Sequence, residues 1–313
     1  MPPDLFELTH FVSLTPNQAV GIPIALVGAV FLSLGAQFQH RGVGKVSATT
    51  LSRGSSALSV GQMMQLLSRP SWVIGTLLLG LAIVFQLTSL YFAPLIVVQP
   101  LGAVALVITA IVNSRVSKIP LTWGAIRAIV FCVVGVALFV TIAAFTATSS
   151  PIREGQLVVI LIILAVVTAA FAASFAFLRK RFKAIIYIVG AGVLYGFVAT
   201  LAKVVIDRIK TLVLFGSDTG GFEWLTTLCV VALLAATALG GYFVQSAYSS
   251  GPPDLVIAGL TVIDPIVAVC IGIVVLQEAA DAPLWATLAF IVSGVVAVYG
   301  VFQLAKHHPQ VRG

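Results

Sequence analysis

The chain has 313 residues, of which 60% are hydrophobic and 9% charged, and its mean hydropathy is +1.13. No soluble core of this size needs so much apolar surface, so the composition excludes a water-soluble protein and indicates an integral membrane protein. The net charge of +7 does not indicate a nucleic-acid partner, because the basic residues lie in short loops between apolar runs.

Nine apolar runs are each long enough to cross a bilayer, which takes about 20 residues. Ahead of them, residues 1–17 carry no Lys or Arg, so we do not expect a secretory signal peptide. The sequence predicts an all-α, polytopic membrane helix bundle of about nine transmembrane helices. The runs cover residues 18–39, 71–92, 94–113, 121–145, 156–178, 184–206, 223–248, 254–276 and 282–305.

The basic residues are divided unequally between the two sides that nine crossings create. Twelve of the 17 lie on the side of the C-terminus, three lie on the opposite side, and Arg127 and Lys203 fall within runs. Cytoplasmic loops carry the excess of Lys and Arg. We therefore predict a multi-pass plasma-membrane protein with its N-terminus outside and its C-terminus in the cytoplasm.

A weak internal repeat divides the chain into two halves. Gln86 precedes Pro94 by eight residues, and Gln245 precedes Pro253 by the same eight, 159 residues further on. One half is residues 18–145, with spans one to four and an interfacial segment at 42–69; the other is 184–305, with spans six to nine. Residues 146–183 contain the linking span five, which makes the halves antiparallel, residues 1–17 are extracytoplasmic, and 306–313 form a cytoplasmic tail. Inverted repeats of this kind are common in secondary transporters.

The most informative residue is Asp264, which lies near the middle of the eighth run. A carboxylate at that depth is costly, so it usually faces a bundle interior or a wet cavity and marks a solute path. The alternative is a structural carboxyl that is neutral or bonded to a neighbouring helix. Lys203 in span six could be its counter-charge, or could extend to the membrane surface beside Asp207.

Other polar residues occupy small-residue stripes on the predicted helices. They indicate either a polar solute site or interhelical hydrogen bonds in packed faces. Together with Asp264 and Lys203, the candidates for binding a solute or ion are Gln86, Gln99, Asn113, Gln245 and Thr261.

Prolines and glycines suggest how the helices bend and pack. Pro100 and Pro265 follow Gln99 and Asp264 directly and are expected to kink their helices and free backbone carbonyls. Glycines at close spacing favour close helix packing, and the predicted packing positions are Gly28, Gly35, Gly192 and Gly196.

The stretch from Tyr91 to Ala103, with its Phe-Ala-Pro followed by Pro-Leu-Gly-Ala, resembles the junction of the second and third helices in NIPA-like proteins. These form a magnesium-transporter branch of the drug/metabolite transporter superfamily. The resemblance implies an inverted-repeat bundle, with the first of the usual ten helices missing, that works by alternating access. Gln99 and Asp264-Pro265 depart from the NIPA-like pattern, and one carboxylate is a thin ligand set for Mg²⁺.

The sequence thus predicts a secondary transporter of a small polar or cationic solute, with Mg²⁺ transport and proton coupling as open variants. The alternatives are a flippase for a lipid-linked or amphiphilic substrate and a non-transporting membrane scaffold. No paired carboxylates, metal-binding motif or nucleophile motif indicates an enzyme, and no cofactor is expected. The partners are then the solute and the lipid bilayer, and a homodimer is an open alternative to a monomer.

Overall fold

The structure, a computed structural model, describes residues 16–50, 68–118, 120–148, 152–178, 184–215, 224–250 and 253–306. Within these ranges a few side chains, including that of Gln245 and those of residues 39–50, lie outside the described part. The described residues form ten helices and no strands. They are α1 (Pro16–Thr50), α2 (Pro70–Phe92), α3 (Leu95–Leu101), α4 (Ala103–Ser117), α5 (Trp123–Thr146), α6 (Glu154–Leu178), α7 (Ala184–Phe215), α8 (Trp224–Ser250), α9 (Pro253–Val274) and α10 (Leu284–Lys306).

The all-helical, multi-pass architecture predicted from the apolar runs is confirmed. Across the described residues, eight stretches are long and apolar enough to cross a membrane, and Gly259–Val274 of α9 is a shorter apolar helix. Many large apolar side chains point outward, among them Leu77, Val213 and Leu284. Lipid favours this arrangement, because a helix satisfies its own backbone hydrogen bonds and its apolar side chains can face the acyl chains.

Two predicted spans differ from the observed helices. The first was expected to end at residue 39, but α1 continues to Thr50, inside the predicted interfacial segment 42–69; residues 51–67 of that segment lie outside the described residues. The third was expected to be one helix, but it is divided into α3 and α4 at Gly102. There the N–H of Gly102 donates to the carbonyl of Gln99 at 3.1 Å, a tighter turn than the α-helical one.

The contacts of glycine residues show the relative direction of neighbouring helices. A Cβ added to Gly21, Gly28 or Gly35 of α1 would meet successively earlier residues of the segment formed by α2 and the following Ala93, so the two helices are antiparallel. The side chains met are Ala93, Phe85 and Leu79, in that order. This close approach is typical of membrane helices whose contact face carries glycine.

Helix α7 packs in a parallel direction against α9. A Cβ on Gly192 would lie 2.7 Å from Ile263 Cβ, and one on Gly196 would lie 2.7 Å from Val267 Cβ. Each step of four residues on α7 is matched by four residues forward on α9. The predicted packing positions Gly192 and Gly196 therefore lie in this contact, beside Asp264.

The closest backbone approach joins α5 to α10. A Cβ on Gly135 would collide with the backbone of Ala297, and one on Gly300 with the backbone of Cys132. The two contacts are reciprocal, so the helices are antiparallel. They lie in different halves of the chain, and their contact forms a seam between residues 16–146 and residues 184–306.

Candidate functional site

The chain between α2 and α3 is tied to α7 by a buried lysine. Pro94 has no N–H to offer the carbonyl of Leu90, four residues earlier, so that carbonyl loses its helical partner. Lys203 Nζ donates to it at 2.8 Å, to the carbonyl of Ala93 at 3.3 Å and to Asp207 Oδ1 at 3.1 Å. The Lys203 side chain is only 3% exposed, so its ammonium group is bonded within the protein rather than extended to the membrane surface.

The start of α3 is tied to the loop after α9 by a buried carboxylate. Glu278 accepts hydrogen bonds from the N–H groups of Leu95 and Ile96, both at 2.8 Å, and is 3% exposed. Desolvation raises the pKa of Glu278, although these two hydrogen bonds and the charge of Lys203 act in the opposite direction. Its carboxylate also leaves no room for a Cβ on Gly272, which would lie 2.9 Å from Glu278 Oε2.

We call this arrangement the clasp. It consists of the side chains of Lys203, Asp207 and Glu278 and the backbone groups of Leu90, Ala93, Leu95 and Ile96. The charged side chains come from residues 184–306 and the backbone groups from residues 16–146, so the clasp joins the two halves.

Three further hydrogen bonds tie the same end of the bundle. The N–H of Thr148 donates to the carbonyl of Glu278 at 2.8 Å, and Gln156 Nε2 donates to the carbonyl of Val275 at 2.8 Å. Gln18 Nε2 donates to the carbonyl of Ala147 at 3.0 Å. These bonds join the ends of α1, α5, α6 and α9, and beside them lies a polar cavity of about 400 Å³ lined in part by Arg153 and Asp281.

Asp264 lies in the contact between α7 and α9, where it is half-buried. Its backbone is close to Gly192 and Gly196. Tyr195 is near enough for an electrostatic interaction with the Asp264 carboxyl group. The Oδ1 atom is buried and has no hydrogen-bond partner. A buried acceptor without a partner is costly, so it requires an explanation.

Gln99 has a donor without an acceptor, whereas Asp264 has an acceptor without a donor. Its side chain is 5% exposed, and its Nε2 atom is buried without a hydrogen-bond partner. Gln99 lies on α3, which packs against α9. Two packed elements thus each carry an unsatisfied polar atom directly before a proline: a donor on Gln99 and an acceptor on Asp264.

A larger cavity lies on the other side of α9. It has a volume of about 620 Å³ and an almost wholly apolar lining from α3, α4, α5, α9 and α10. Pro100 and Pro265 line it, but Gln99 and Asp264 do not. Since successive helix residues are about 100° apart, the lining residues Val262, Ile266 and Ile273 lie roughly opposite Asp264. This cavity is not the site of the Asp264 carboxylate.

The remaining candidate residues are distributed over several helices. Thr261 lines the apolar cavity and donates to the carbonyl of Ile257 at 2.8 Å. Asn113 is buried and engaged in interactions within the protein, and Gln86 is half-buried on α2 beside Gly28. Gln245 lies on α8, and its side chain lies outside the described residues.

One pairing expected from the sequence is wrong. Lys203 was a candidate counter-charge for Asp264, but its ammonium donates to the clasp, where Asp207 is its acidic partner. The carbonyl that Pro94 deprives of a partner supplies the reason, because it attracts the ammonium group away from mid-membrane. Lys203 and Asp264 therefore belong to different sites.

The two prolines act differently on the helices that contain them. The helix after Pro100 is interrupted at Gly102, whereas α9 passes through Pro265 without a break. Both prolines still remove a backbone donor, which leaves the carbonyls of Ile96 and Thr261 without their helical partners.

The sequence interpretation missed Glu278 and Tyr195 as site residues. The signal that could have identified Glu278 is the Ala93-Pro94 helix boundary, whose free backbone groups need partners wherever they are buried.

Among the described residues, no group of three or more His, Cys, Asp or Glu side chains could hold a metal ion. Comparison with protein-family profiles, with curated proteins and with solved structures found no match to the chain. Functional assignment therefore depends on the chemistry of the two sites themselves.

Proposed function

We propose that the protein is a secondary transporter that carries a small polar or cationic solute across the plasma membrane by alternating access. The observation that carries the proposal is a pair of buried polar atoms without hydrogen-bond partners, Gln99 Nε2 and Asp264 Oδ1. Each belongs to a residue that directly precedes a proline. Native proteins rarely leave such atoms without partners unless a ligand, ion or water completes them.

The pattern of helix packing supports two inverted halves. Helix α1 packs on α2 and α4 as α7 packs on α8 and α9, while α5 meets its counterpart α10, and α3 meets α9. The parallel direction of α7 and α9 and the antiparallel direction of α5 and α10 agree with nine alternating crossings. In this arrangement the clasp is at the extracytoplasmic end, the N-terminus is outside, and the solute site is deeper, between α3 and α9.

The two atoms also favour a class of solute. Asp264 attracts a cation or a strong donor, and Gln99 offers a donor to an acceptor group, so a solute that carries both kinds of group satisfies both. A hydrated Mg²⁺ ion meets this description, because its retained waters can donate to Asp264 and accept from Gln99. Amino acids and small polar amines also meet it. The resemblance of residues 91–103 to NIPA-like proteins favours Mg²⁺ among them.

The proposal is tested by thermal stabilisation of the purified protein with separate solutes: MgCl₂, amino acids, quaternary amines and a polyprenyl phosphate. A ligand that binds only the folded state raises the melting temperature. We expect one polar or cationic solute to stabilise the wild type but neither Asp264→Asn nor Gln99→Ala, and to be taken up by vesicles. Asp281→Asn, an exposed acid outside this site, is the matched control. A stabilising solute indifferent to both substitutions would contradict the assignment of the site.

A flippase for an amphiphilic substrate is the second candidate, and the apolar cavity of about 620 Å³ favours it. Under this alternative the polyprenyl phosphate is the stabilising ligand. Introducing bulk into the lining, with Gly294→Phe, would then abolish the stabilisation, whereas Asp264→Asn would not. If no solute binds and no uptake is found, a membrane scaffold is the better description.

A further inference from the structure

The clasp has the properties expected of a closed barrier between the two halves. Its charged side chains belong to one half, and every backbone group that they bind, from Leu90 to Ile96, belongs to the other. Lys203 and Glu278 are both about 3% exposed, so water does not reach these two charges in this conformation, whereas Asp207 is 19% exposed. A buried charge held by hydrogen bonds resists separation, because each partner left alone in a dry site is costly.

The position of the clasp adds a second argument. It holds the short helix α3 at its first residues, and the single residue Gly102 separates the other end of α3 from α4. Gln99, four residues after Leu95, is on the same short helix. Movement at the clasp therefore passes directly to one of the two unsatisfied polar residues.

The contact beneath the clasp is also between the halves. A Cβ on Gly272 of α9 would lie 3.7 Å from Leu95 Cβ, and the Leu95 side chain is fully buried. If the halves separate at this end, Leu95 is among the first side chains that water reaches.

We propose that the clasp is the extracytoplasmic gate of the transporter, and that Glu278 and Lys203 are the positioning residues that hold it closed. The inference rests on the proposed function, because a gate has a role only in a transporter. Its test does not depend on the solute, because it measures whether this end opens.

The test uses a version of the chain in which Cys132, Cys229 and Cys270 are replaced by alanine, with one reporter, Leu95→Cys. The protein is reconstituted into vesicles, and a membrane-impermeant maleimide is added outside. A separate reporter, Asp281→Cys, is exposed at the clasp end and gives the fraction of molecules that present this end outward. We expect Leu95→Cys to react much more slowly than Asp281→Cys.

Adding Glu278→Gln should raise the labelling rate of Leu95→Cys about tenfold, because the amide nitrogen of glutamine cannot accept a hydrogen bond and would face one of the two backbone N–H groups instead. Asp281→Asn, three residues away, should leave the rate unchanged. Equal rates with and without Glu278→Gln, in protein that melts cooperatively, would overturn the proposal. So would a Leu95→Cys reporter that is as reactive as Asp281→Cys before the clasp is altered.

A second measurement covers the case in which Glu278→Gln does not fold. Thr148→Cys and Gln277→Cys place thiols on the two sides of the same polar cavity at the clasp end. Joining them with a short cleavable cross-linker should stop uptake while the stabilising solute still raises the melting temperature, and cleavage should restore uptake. Uptake that continues through the cross-link would refute the gate, whereas loss of solute binding in every variant would count against the proposed function instead.

Discussion

Two carboxylates in this bundle are treated in opposite ways. Glu278 is buried in the clasp, and both of its oxygens accept a hydrogen bond. Asp264 is half-buried beside the small residues of α7 and α9, and its Oδ1 atom is buried without a hydrogen-bond partner. The hydrogen bonds of Glu278 offset part of its desolvation cost. No such bond offsets the cost at Asp264 Oδ1, which supports the proposal that a solute group binds there.

The comparison predicts its largest effect at Asp264. In Asp264→Asn, solute uptake should fall on the order of 100-fold, as expected when one charge-assisted contact is lost. The melting temperature should stay the same or rise, since a neutral amide is cheaper to bury than an unpaired carboxylate. Uptake and thermal unfolding measured on the same preparation check this. A large loss of stability with normal uptake would reverse the assigned roles of Asp264 and Glu278.

Lys203→Met should affect stability more than uptake, the reverse of Asp264→Asn. It removes the cation from the clasp and leaves Asp207 and two carbonyls without a donor, so we expect a loss of about 3 kcal/mol in the free energy of unfolding. Lys210→Met is the matched control on the same helix. Lys210 is half-buried and lies 4.5 Å from the Tyr91 ring, and a cation–π contact contributes about 0.5–2 kcal/mol, less than the loss expected at Lys203. The free energies of unfolding are measured with a denaturant. Similar losses in both variants would contradict the role of Lys203 in holding the clasp.

Asp264 and the clasp also differ in how far the sequence could predict them. The apolar runs predicted the helices, because a chain in lipid has few other ways to satisfy its backbone. Asp264 was identified by depth alone. The clasp was not, because Lys203 and Glu278 lie 75 residues apart and are joined only through the backbone of a third segment around Pro94. Likewise Pro100 and Pro265 look alike in sequence, but only the helix that contains Pro100 has a glycine two residues later to complete the interruption.

Gly192→Ala should sharpen the comparison with a smaller effect. The added Cβ would lie 2.7 Å from Ile263 Cβ, so α9 must shift beside Asp264, at a cost of about 1–3 kcal/mol in unfolding free energy. Solute affinity should weaken as well, while labelling at the clasp should not change. Gly80→Ala, which meets nothing within 4 Å, should be neutral or stabilising by up to ~1 kcal/mol. If both variants behave alike, the α7–α9 contact does not position Asp264.

The smallest expected effect is a pH dependence of the clasp. Burial raises the pKa of Glu278 in the closed state, despite the opposing effects of its backbone hydrogen bonds and of Lys203, and Asp207 adds to the rise. The closed state then binds a proton more tightly than an open, hydrated one. Opening is therefore favoured as the pH rises from the ordinary glutamate pKa of about 4.3 through the raised value.

Labelling of Leu95→Cys at several pH values measures this dependence, after correction for the reactivity of Asp281→Cys at each pH. We expect a several-fold rise with pH that is absent in Glu278→Gln. A dependence that survives Glu278→Gln would assign the titration to another group, with Asp207 the nearest alternative.

The seam between α5 and α10 limits how such a molecule can move. At Gly135 and Gly300 the two backbones lie in close contact, and on the same two helices Phe131 pairs with Tyr299 and Phe139 with Phe290. Paired aromatic side chains resist sliding, so the seam favours movements in which α5 and α10 stay together. We therefore expect the halves to rotate about this line, with the widest excursion at the bundle ends farthest from it.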